Sequence, residues 1–305
     1  MRILWITNIP SPYRVDFFNE LGKSVDLTVL FERANASDRD SAWQDYKFEN
    51  FTGIIMSGLS YASDSAFCPG VLRELMQCRY DLAVVTNFSS PAGVAAIAYL
   101  KATHKPYFLE SDGGFPGLAG PKAKLKRAVI KGATGYFSTS DVHDDYYLAY
   151  GARRDRLVRY PFTSVGSEQV LSSAPTPTQK ADARKSLGFD DRRLVLFMGG
   201  LIRHKGVYVL LKASVELAAC AGISLVGSGL IEAYRALVDA SGRTDVSIVA
   251  FKLPWELGVC LKAVGMLASD SLRNGVQVLS PEATRRHRAA KHRGKVFRAS
   301  FQTTC

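Results

Sequence analysis

Short apolar runs alternate with amphipathic segments along most of this chain. The run RILWIT at 2–7 has the length and composition of a buried strand, and residues 13–22 place Val15, Phe18 and Leu21 at helical spacing. The same alternation predicts strands at 25–31, 81–86, 106–110 and 134–138, and helices at 70–78, 91–103, 122–132 and 141–150. Continuous apolar strands that alternate with helices indicate an α/β fold with a parallel sheet covered on both faces.

Two of these helices carry clear end signals. Ser90 is a suitable N-cap, with Pro91 at the first helical position. Ser140 or Asp141 can cap the helix at 141–150, and Gly151 follows it where a left-handed residue ends a helix. These signals predict where the loops between strands and helices lie.

The alternation breaks at the Ser/Thr/Pro-rich stretch 164–180 and then restarts. The second part has predicted strands at 193–198, 223–226 and 246–251 and helices at 180–187, 206–219 and 230–240. We therefore predict two Rossmann-like, doubly wound domains with a cleft between them, since ligands of open α/β sheets bind at the carboxyl ends of strands. The predicted boundaries are 1–165 for the first domain, 166–180 for a linker, 181–256 for a partial second domain and 257–305 for a basic irregular tail.

The pattern weakens after Pro254. A helix at 256–268 is the last predicted element, and sequence rich in Arg, Lys and His follows without periodicity. A doubly wound domain needs more strands than this second part supplies, so we expect the second domain to be incomplete. Residues 282–305 hold few large apolar side chains, so we expect them to pack poorly and to contribute no catalytic group.

Composition and charge narrow the classes of function. The net charge is +11, but residues 257–305 hold nine basic and two acidic residues, so the excess is local and no nucleic-acid partner is predicted. No apolar run approaches the ~18 residues of a membrane span. The five cysteines and five histidines are widely spaced and form no CxxC, which argues against disulfides and metal centres and favours a reducing cytosol.

The first candidate site is FMGGLIRHKGVYVLL at 197–211. A strand runs into Gly199 and Gly200, a short loop carries Arg203 and Lys205, and Gly206 opens a helix. Glycines allow a close backbone approach, and the two cations suit a phosphate group. This pattern predicts a diphosphate site, and its alternative is a tight turn with solvated basic side chains.

A second glycine turn lies in LVGSGLIEAYRAL at 225–237. Gly227, Ser228 and Gly229 follow a predicted strand and precede a helix, which suggests a loop on the nucleotide side. An isolated GxG is a weak signal, so a purely structural turn is equally compatible with it.

The loop after the first strand, TNIPSPYRVDFF at 7–18, is the third candidate. It is stiffened by Pro10 and Pro12, and Ser11 can cap the helix that follows. Arg14 stands in the first helical turn, where its charge opposes the helix dipole. It therefore serves either a ligand or a distant acid, unless the segment is only a rigid turn.

The fourth candidate, YFLESDGGF at 107–115, supplies acidic groups. Glu110 and Asp112 come at the carboxyl end of a predicted strand and precede two glycines. Carboxylates in that place can bind sugar hydroxyls or act as a base, so both are candidate catalytic residues. The alternative is that Asp112 caps or turns the chain.

A basic amphipathic helix is predicted within GPKAKLKRAVIKGA at 120–133. Leu125, Val129 and Ile130 are predicted to share one apolar face. Such a helix can lie against anionic lipid, and its alternative is a solvated helix face. Its basic residues are Lys122, Lys124, Lys126, Arg127 and Lys131.

Together these segments resemble the GT-B glycosyltransferases of family 4, also called group 1 glycosyltransferases. In family order the chain carries ITNIPSPYRVDFFNELG, TNFSSP, ESDGG, GYFSTS, YPFTS, FMGGLIRHKGVYVLL and LVGSG, over residues 1–256. The resemblance implies two Rossmann-like domains and retaining transfer of a sugar from a nucleotide sugar, without a cofactor. It also implies that the acceptor is a glycan or lipid-linked molecule of cell-surface polysaccharide synthesis. The implied location is the cytoplasm, including the inner face of the membrane.

The chain departs from that family at two points. In the family's GRxxxxKG turn an Arg and a Lys hold the donor diphosphate. Lys205 matches the Lys, but Gly200 occupies the Arg position and leaves Arg203 as a substitute. The two Glu residues of the family's E-x7-E motif have no equivalent after residue 256. We therefore expect a chain that is truncated or frame-disrupted after about this residue.

Three hypotheses of function follow. The first is an active glycosyltransferase, and the second is a non-catalytic, truncated relative that lacks the acidic donor-binding motif. A coding sequence that encodes E-x7-E in another frame near codon 256 would support the second. The third is a nucleotide-dependent oxidoreductase or epimerase, against which the missing dinucleotide fingerprint counts.

Overall fold

The computed structural model divides the chain into two compact units, Met1–Val165 and Gly166–Cys305. The structure describes residues 1–34, 47–62, 65–111, 120–160, 176–186, 193–217, 221–250, 266–272 and 275–279. Predictions for Asp112, for residues 161–175, for 251–265 and for 280–305 lie outside the described residues.

The first unit contains nine described strands. They are β1 Arg2–Thr7, β2 Asp26–Phe31, β3 Thr52–Ile55, β4 Leu59–Ala62, β5 Ser65–Phe67, β6 Leu82–Val85, β7 Tyr107–Ser111, β8 Gly135–Ser138 and β9 Leu157–Arg159. Seven of them form one parallel sheet in the order β3-β2-β1-β6-β7-β8-β9, and β4 pairs with β5 in antiparallel fashion.

This strand order creates a topological switch point. From β1 the chain moves outward to β2 and β3 and then places β6 on the other side of β1. The carboxyl ends of β1 and β6 therefore border the crevice where open α/β sheets bind ligands. Trp5 Nε1 donates to Thr86 Oγ1 over 2.7 Å and joins these two strands by their side chains as well.

The first strand shows why its sequence is apolar throughout. Leu4 and Ile6 join one buried cluster, whereas Ile3 and Trp5 join a second cluster, so successive side chains enter opposite faces of the sheet. The predicted parallel sheet, covered on both faces, is confirmed. The helices of this unit are α1 Pro12–Gly22, α2 Gly70–Gln77, α3 Pro91–Ala102, α4 Gly120–Ile130 and α5 Asp141–Ala149.

Sequence reasoning did not predict β3, the β4–β5 pair or β9. The strands β3 and β9 are the two edges of the sheet and have only four and three residues. Short edge strands have one neighbour and little room for a burial pattern, so periodicity detects them poorly.

The second unit has its own sheet, in the order β12-β11-β10-β13-β14. Its strands are β10 Arg193–Met198, β11 Ala221–Gly227, β12 Val246–Ala250, β13 Met266–Leu272 and β14 Gly275–Leu279, and its helices are α6 Pro177–Ser186, α7 Val207–Ala213 and α8 Ile231–Ala240. Residues 2–7 and 193–198 thus lie in different sheets, as predicted, and two Rossmann-like α/β units are present.

Two predictions for the second unit need correction. The prediction of a helix at 256–268 is wrong for its last three residues, 266–268. They belong to β13, which begins at Met266 and pairs in parallel with β10. The expectation of no further strand is also wrong, since β14 pairs with β13 in antiparallel fashion. Ser269 and Asp270 interrupt the apolar run of β13, so its pairing with β10 was not evident from periodicity.

The helix predicted at 206–219 ends early. It is α7 up to Ala213, and a 3₁₀ turn Ser214–Leu217 follows. Ser214 Oγ donates to the Leu211 carbonyl over 2.9 Å, and Arg243 Nη1 donates to the same oxygen over 2.9 Å. These two donors satisfy a carbonyl of the last turn and so end the α-helix there.

Candidate functional site

The carboxyl edge of the first sheet contains a buried ion pair. Arg14, in the first turn of α1, donates from Nη2 to Glu110 Oε1 over 3.1 Å and lies 3.1 Å from Oε2. The two side chains are only 6% and 0% exposed. The sequence left open whether Arg14 serves a ligand or a distant acid, and in the structure Arg14 contacts the distant acid Glu110.

Two other predicted residues of this edge, Ser11 and Pro12, lie at the start of α1. Ser11 occupies the N-cap position of α1 and Pro12 begins the helix, but the Ser11 hydroxyl does not cap it. The carbonyl of Ser11 instead accepts from the amides of Arg14 and Val15. These backbone bonds begin α1, and Arg14 in its first turn reaches Glu110 of β7.

A second buried acid, which the sequence reasoning missed, lies at the same edge. Glu32 directly follows β2 and is fully buried. Ser90 Oγ donates to its Oε1 over 2.6 Å, and Asn87 Nδ2 lies 3.4 Å from Oε1 and 3.3 Å from Oε2. The loops that follow β2 and β6 are therefore joined by one carboxyl group beside the switch point.

The neighbour of Glu32 links a third loop to this group. Arg33 donates from Nε and Nη2 to Asn8 Oδ1 over 3.2 and 2.7 Å. Asn8 follows β1, so the polar ends of β1, β2 and β6 meet here. We call Asn8, Glu32, Arg33, Asn87 and Ser90 the switch-point cluster. The available signal for it was an acid at the carboxyl end of an apolar strand: Glu32 directly follows β2, much as Glu110 lies near the end of β7.

Burial dominates the chemistry of Glu32. It raises the pKa of this carboxyl to about 7, against the lowering effects of Ser90, Arg33 and Asn87. Cys68 Sγ donates to the backbone carbonyl of Glu32 over 3.1 Å, and burial together with the Glu32 charge raises the pKa of that thiol. A buried acid with a perturbed pKa at the carboxyl edge of an open α/β sheet is typical of functional sites.

In the second unit the two glycine turns interlock. The amide of Leu201 donates to the Ser228 carbonyl over 2.7 Å, and Leu201 and Gly229 form a parallel bridge. A Cβ on Gly227 would lie 1.8 Å from the carbonyl oxygen of Gly199. The turns after β10 and β11 therefore need glycine at Gly227 in order to pack against each other.

The predicted cations stand directly after the first of these turns. A 3₁₀ turn begins at Arg203 and ends at Lys205. The Lys205 side chain is half-buried, whereas the Arg203 side chain is exposed. The pKa of Tyr234 is raised by burial, and this effect exceeds the lowering by the positive charge of nearby Arg203. Gly206 has a φ of 74°, which favours glycine at the junction with α7.

The basic helix is α4, and its predicted apolar face is only partly covered. Val129 and Ile130 are buried, whereas Leu125, on the same side of the helix as Val129, is 56% exposed. Leu125 lies one turn before Val129, at a position that the described residues leave largely exposed. Lys126 Nζ instead packs 5.0 Å from the ring centre of Tyr146. Leu125 thus stands on the exposed surface among Lys122, Lys124, Arg127 and Lys131, which are exposed too.

Two further features concern metals and membranes. Within the described ranges, no group of three or more His, Cys, Asp or Glu side chains is arranged to hold a metal ion. No helix in the same part of the chain combines the length and hydrophobicity needed to cross a bilayer.

No protein-family model matches this chain, and no curated protein sequence matches it. Solved structures do. HepE of Anabaena in complex with UDP has a TM-score of 0.64 at 15% identity, over 88% of this chain and 73% of that chain. A glycosyltransferase from Rickettsia africae has a TM-score of 0.63 at 14% identity, over 88% of this chain and 72% of that one.

A different class of protein shares the same architecture. A UDP-N-acetylglucosamine 2-epimerase has a TM-score of 0.52 at 12% identity, over 88% of this chain and 73% of that chain. At such identities likeness establishes the fold alone. The fold of this chain is that of GT-B proteins, with two Rossmann-like α/β units.

Proposed function

We propose that this chain is a glycosyltransferase of family 4, or group 1, that transfers a sugar from a nucleotide sugar with retention of configuration. The acceptor is a glycan or lipid-linked molecule of cell-surface polysaccharide synthesis. The observation that carries the proposal is the interlocked pair of glycine turns, with half-buried Lys205 directly after them. The family order of the sequence segments and the UDP in HepE support it.

The second unit is proposed to hold the donor. Lys205 and Arg203 would face the diphosphate, where their charges stabilise the leaving group as the bond to the sugar breaks. Gly199 and Gly206 would let the backbone approach the phosphates closely, and Gly200 stands where the resembling family has its diphosphate-binding Arg. The turn of Gly227, Ser228 and Gly229 would border the nucleotide.

The first unit is proposed to hold the acceptor. Glu110 is paired with Arg14 and fully buried, so its proposed part is to position the end of β7 rather than to touch the sugar. Asp112 stays the predicted contact for sugar hydroxyls. The exposed Leu125 and the lysines of α4 support peripheral binding to the inner face of the membrane, on the cytoplasmic side.

Lys205→Ala tests the donor site. A charge-assisted contact to phosphate contributes ~1.5–3 kcal/mol, so the variant should bind UDP about ten- to a hundredfold more weakly in calorimetry. Lys212→Ala is the matched control, because Lys212 is exposed further along α7 and lies over the Tyr208 ring. Equal affinities of wild type and a folded Lys205→Ala variant would refute the donor site.

Gly200→Arg is the complementary gain of function. A Cβ on Gly200 would meet only the side chain of Ile202, at 3.4–3.5 Å, so the position has room for a Cβ. Since the resembling family has Arg there, the variant should bind UDP about three- to tenfold more tightly. Weaker binding would show that the turn does not face a diphosphate.

The epimerase likeness makes a second candidate function, and one assay separates the possibilities. The chain is incubated with UDP-glucose and with UDP-N-acetylglucosamine, and the products are identified by NMR. Release or transfer of the sugar supports a transferase, whereas a UDP-sugar with inverted C2 supports an epimerase. Binding of UDP without either product supports the non-catalytic relative.

A further inference from the structure

The hydroxyl of Ser90 has two acceptors for its single hydrogen. It lies 2.6 Å from Glu32 Oε1 and 2.9 Å from the backbone carbonyl oxygen of Asn87. Ser90 Oγ also accepts from the amide of Gly93 over 3.0 Å and so caps α3. Ser90 can therefore donate to only one of its two acceptors at a time.

These two arrangements correspond to the two protonation states of Glu32. When Glu32 is ionised, Ser90 donates to its carboxylate. When Glu32 has taken a proton from solvent, the new O–H donates to Ser90 Oγ, and Ser90 turns its hydrogen to the Asn87 carbonyl. Each state satisfies the buried hydroxyl and keeps the cap of α3, so neither leaves a buried polar group unpaired.

Protonation also changes how Asn87 is held. Its amide nitrogen is within 3.4 Å of both carboxylate oxygens, which accept most strongly while Glu32 is ionised. Protonation removes the negative charge and makes the protonated oxygen a weaker acceptor, so the amide is held less firmly. Asn87 is half-buried at the carboxyl end of β6, beside the switch point, and is thus placed to meet a ligand.

We propose that Glu32, Ser90 and Asn87 form a proton-linked relay in which Asn87 binds a hydroxyl of the acceptor sugar and Glu32 positions Asn87. This inference rests on the proposed function, in which the first unit holds the acceptor. Glu32 is a positioning residue here, since it is fully buried, and Asn87 is the contacting residue.

The charged and titratable groups around Glu32 support a pKa near neutrality. Arg33, on the same segment, favours the ionised form, but its guanidinium is hydrogen-bonded to Asn8. Cys68, which follows β5, is a thiol whose own pKa is raised. The turn from β6 to α3 contributes the neutral donors Asn87 and Ser90. Burial thus outweighs the charge of Arg33.

A carboxyl titration tests the relay without any ligand. In protein labelled with ¹³C at Glu carboxyls, the signal that is lost in Glu32→Gln should titrate close to neutrality. In Ser90→Ala it should titrate at higher pH, because the carboxylate loses its shortest hydrogen bond. Ser89→Ala is the control, since Ser89 is the exposed neighbour of Ser90. A signal that titrates near the ordinary value of 4.5 would overturn the relay.

Sugar binding tests the role of Asn87. The probes are glucose, galactose, mannose and N-acetylglucosamine, measured by saturation-transfer NMR with saturating UDP at about pH 6 and pH 8. Glucose belongs in the set because HepE has been solved with UDP and glucose. The wild type and Ser89→Ala should bind at least one sugar, about three- to tenfold more tightly at the higher pH, the range for one neutral hydrogen bond.

The variants should behave differently from each other. Asn87→Ala should bind weakly at both pH values, and Glu32→Gln should bind weakly without pH dependence. Wild-type binding by Asn87→Ala, a retained pH dependence in Glu32→Gln, or no sugar bound by a protein that binds UDP would overturn the inference. Failure to bind UDP would instead refute the proposed function, and the carboxyl titration would then decide the relay by itself.

Discussion

Arg14 Nη2 donates to Glu110 Oε1 over 3.1 Å, a buried contact between residues 96 positions apart in the chain. It joins the first turn of α1 to the carboxyl end of β7. The charge of Arg14 opposes the dipole of its own helix, and the carboxylate of another strand compensates for it. The pair therefore joins two segments at the carboxyl edge of the sheet.

This pair should be strongly coupled in a double-mutant cycle. Arg14→Met or Glu110→Gln alone leaves a buried group without its charged partner, so each should lower the free energy of unfolding by ~3–5 kcal/mol. The double variant should lose clearly less than the sum of the two, as measured by urea denaturation. Additive losses would show that the two side chains do not stabilise each other.

The exposed pair of Arg2 and Asp81 is the matched control. Its atoms are closer, at 2.7 Å, but its side chains are 45% and 44% exposed. Water and salt screen such a pair, so Arg2→Met and Asp81→Asn should leave the Tm almost unchanged.

Glu32 should make stability depend on pH. A carboxyl whose folded pKa is raised favours the protonated form in the folded state, so stability is highest below its ordinary pKa of 4.5 and falls as the pH rises to about 7. Glu32→Gln has no such proton. Its Tm relative to wild type should therefore increase from pH 5 to pH 8, in thermal scans followed by circular dichroism. A constant difference across that range would contradict the raised pKa.

The glycine turns should differ in their tolerance of a methyl group. Gly227→Ala places a Cβ 1.8 Å from the Gly199 carbonyl oxygen, which forces the two turns apart. We expect a loss of several degrees in the Tm of the second unit and a loss of UDP affinity. Gly200→Ala, with its nearest neighbour at 3.4 Å, should keep both. Equal behaviour of the two variants would mean that the turns do not interlock.

The basic face of α4 should bind anionic vesicles. Each basic residue near such a surface contributes ~1 kcal/mol, so Lys122→Ala and Lys124→Ala should each weaken binding to phosphatidylserine vesicles about fivefold. Leu125→Ser should weaken it too, because an exposed leucine can enter the interface. Sedimentation with vesicles measures the effect.

Lys47→Ala serves as the control for α4, since Lys47 is exposed on a different segment. It should bind vesicles as the wild type does. If Lys124→Ala and Lys47→Ala are indistinguishable, the basic face of α4 is a solvated helix surface and not a membrane contact.

The sequence by itself determined the layers of this fold. Ile3, Leu4, Trp5 and Ile6 are all apolar because both faces of β1 are covered, and this is a local property that a strand records in its own residues. The Ser90 cap was readable for the same reason, since Ser90 and the Gly93 amide lie three positions apart. The Gly199–Gly200 turn and Lys205 were readable as well, since they stand within a few residues of the end of β10.

Only the tertiary structure decided which polar groups meet. Arg14 finds Glu110, and Glu32 finds Ser90 from 58 positions away, because parallel strands bring their carboxyl ends to one edge in an order that periodicity does not specify. Helical spacing grouped Leu125 with Val129, yet only Val129 is buried, since the neighbouring elements set how wide the covered face is. Spacing along the chain records local geometry, whereas charge pairing, burial and pKa depend on neighbours that the fold alone provides.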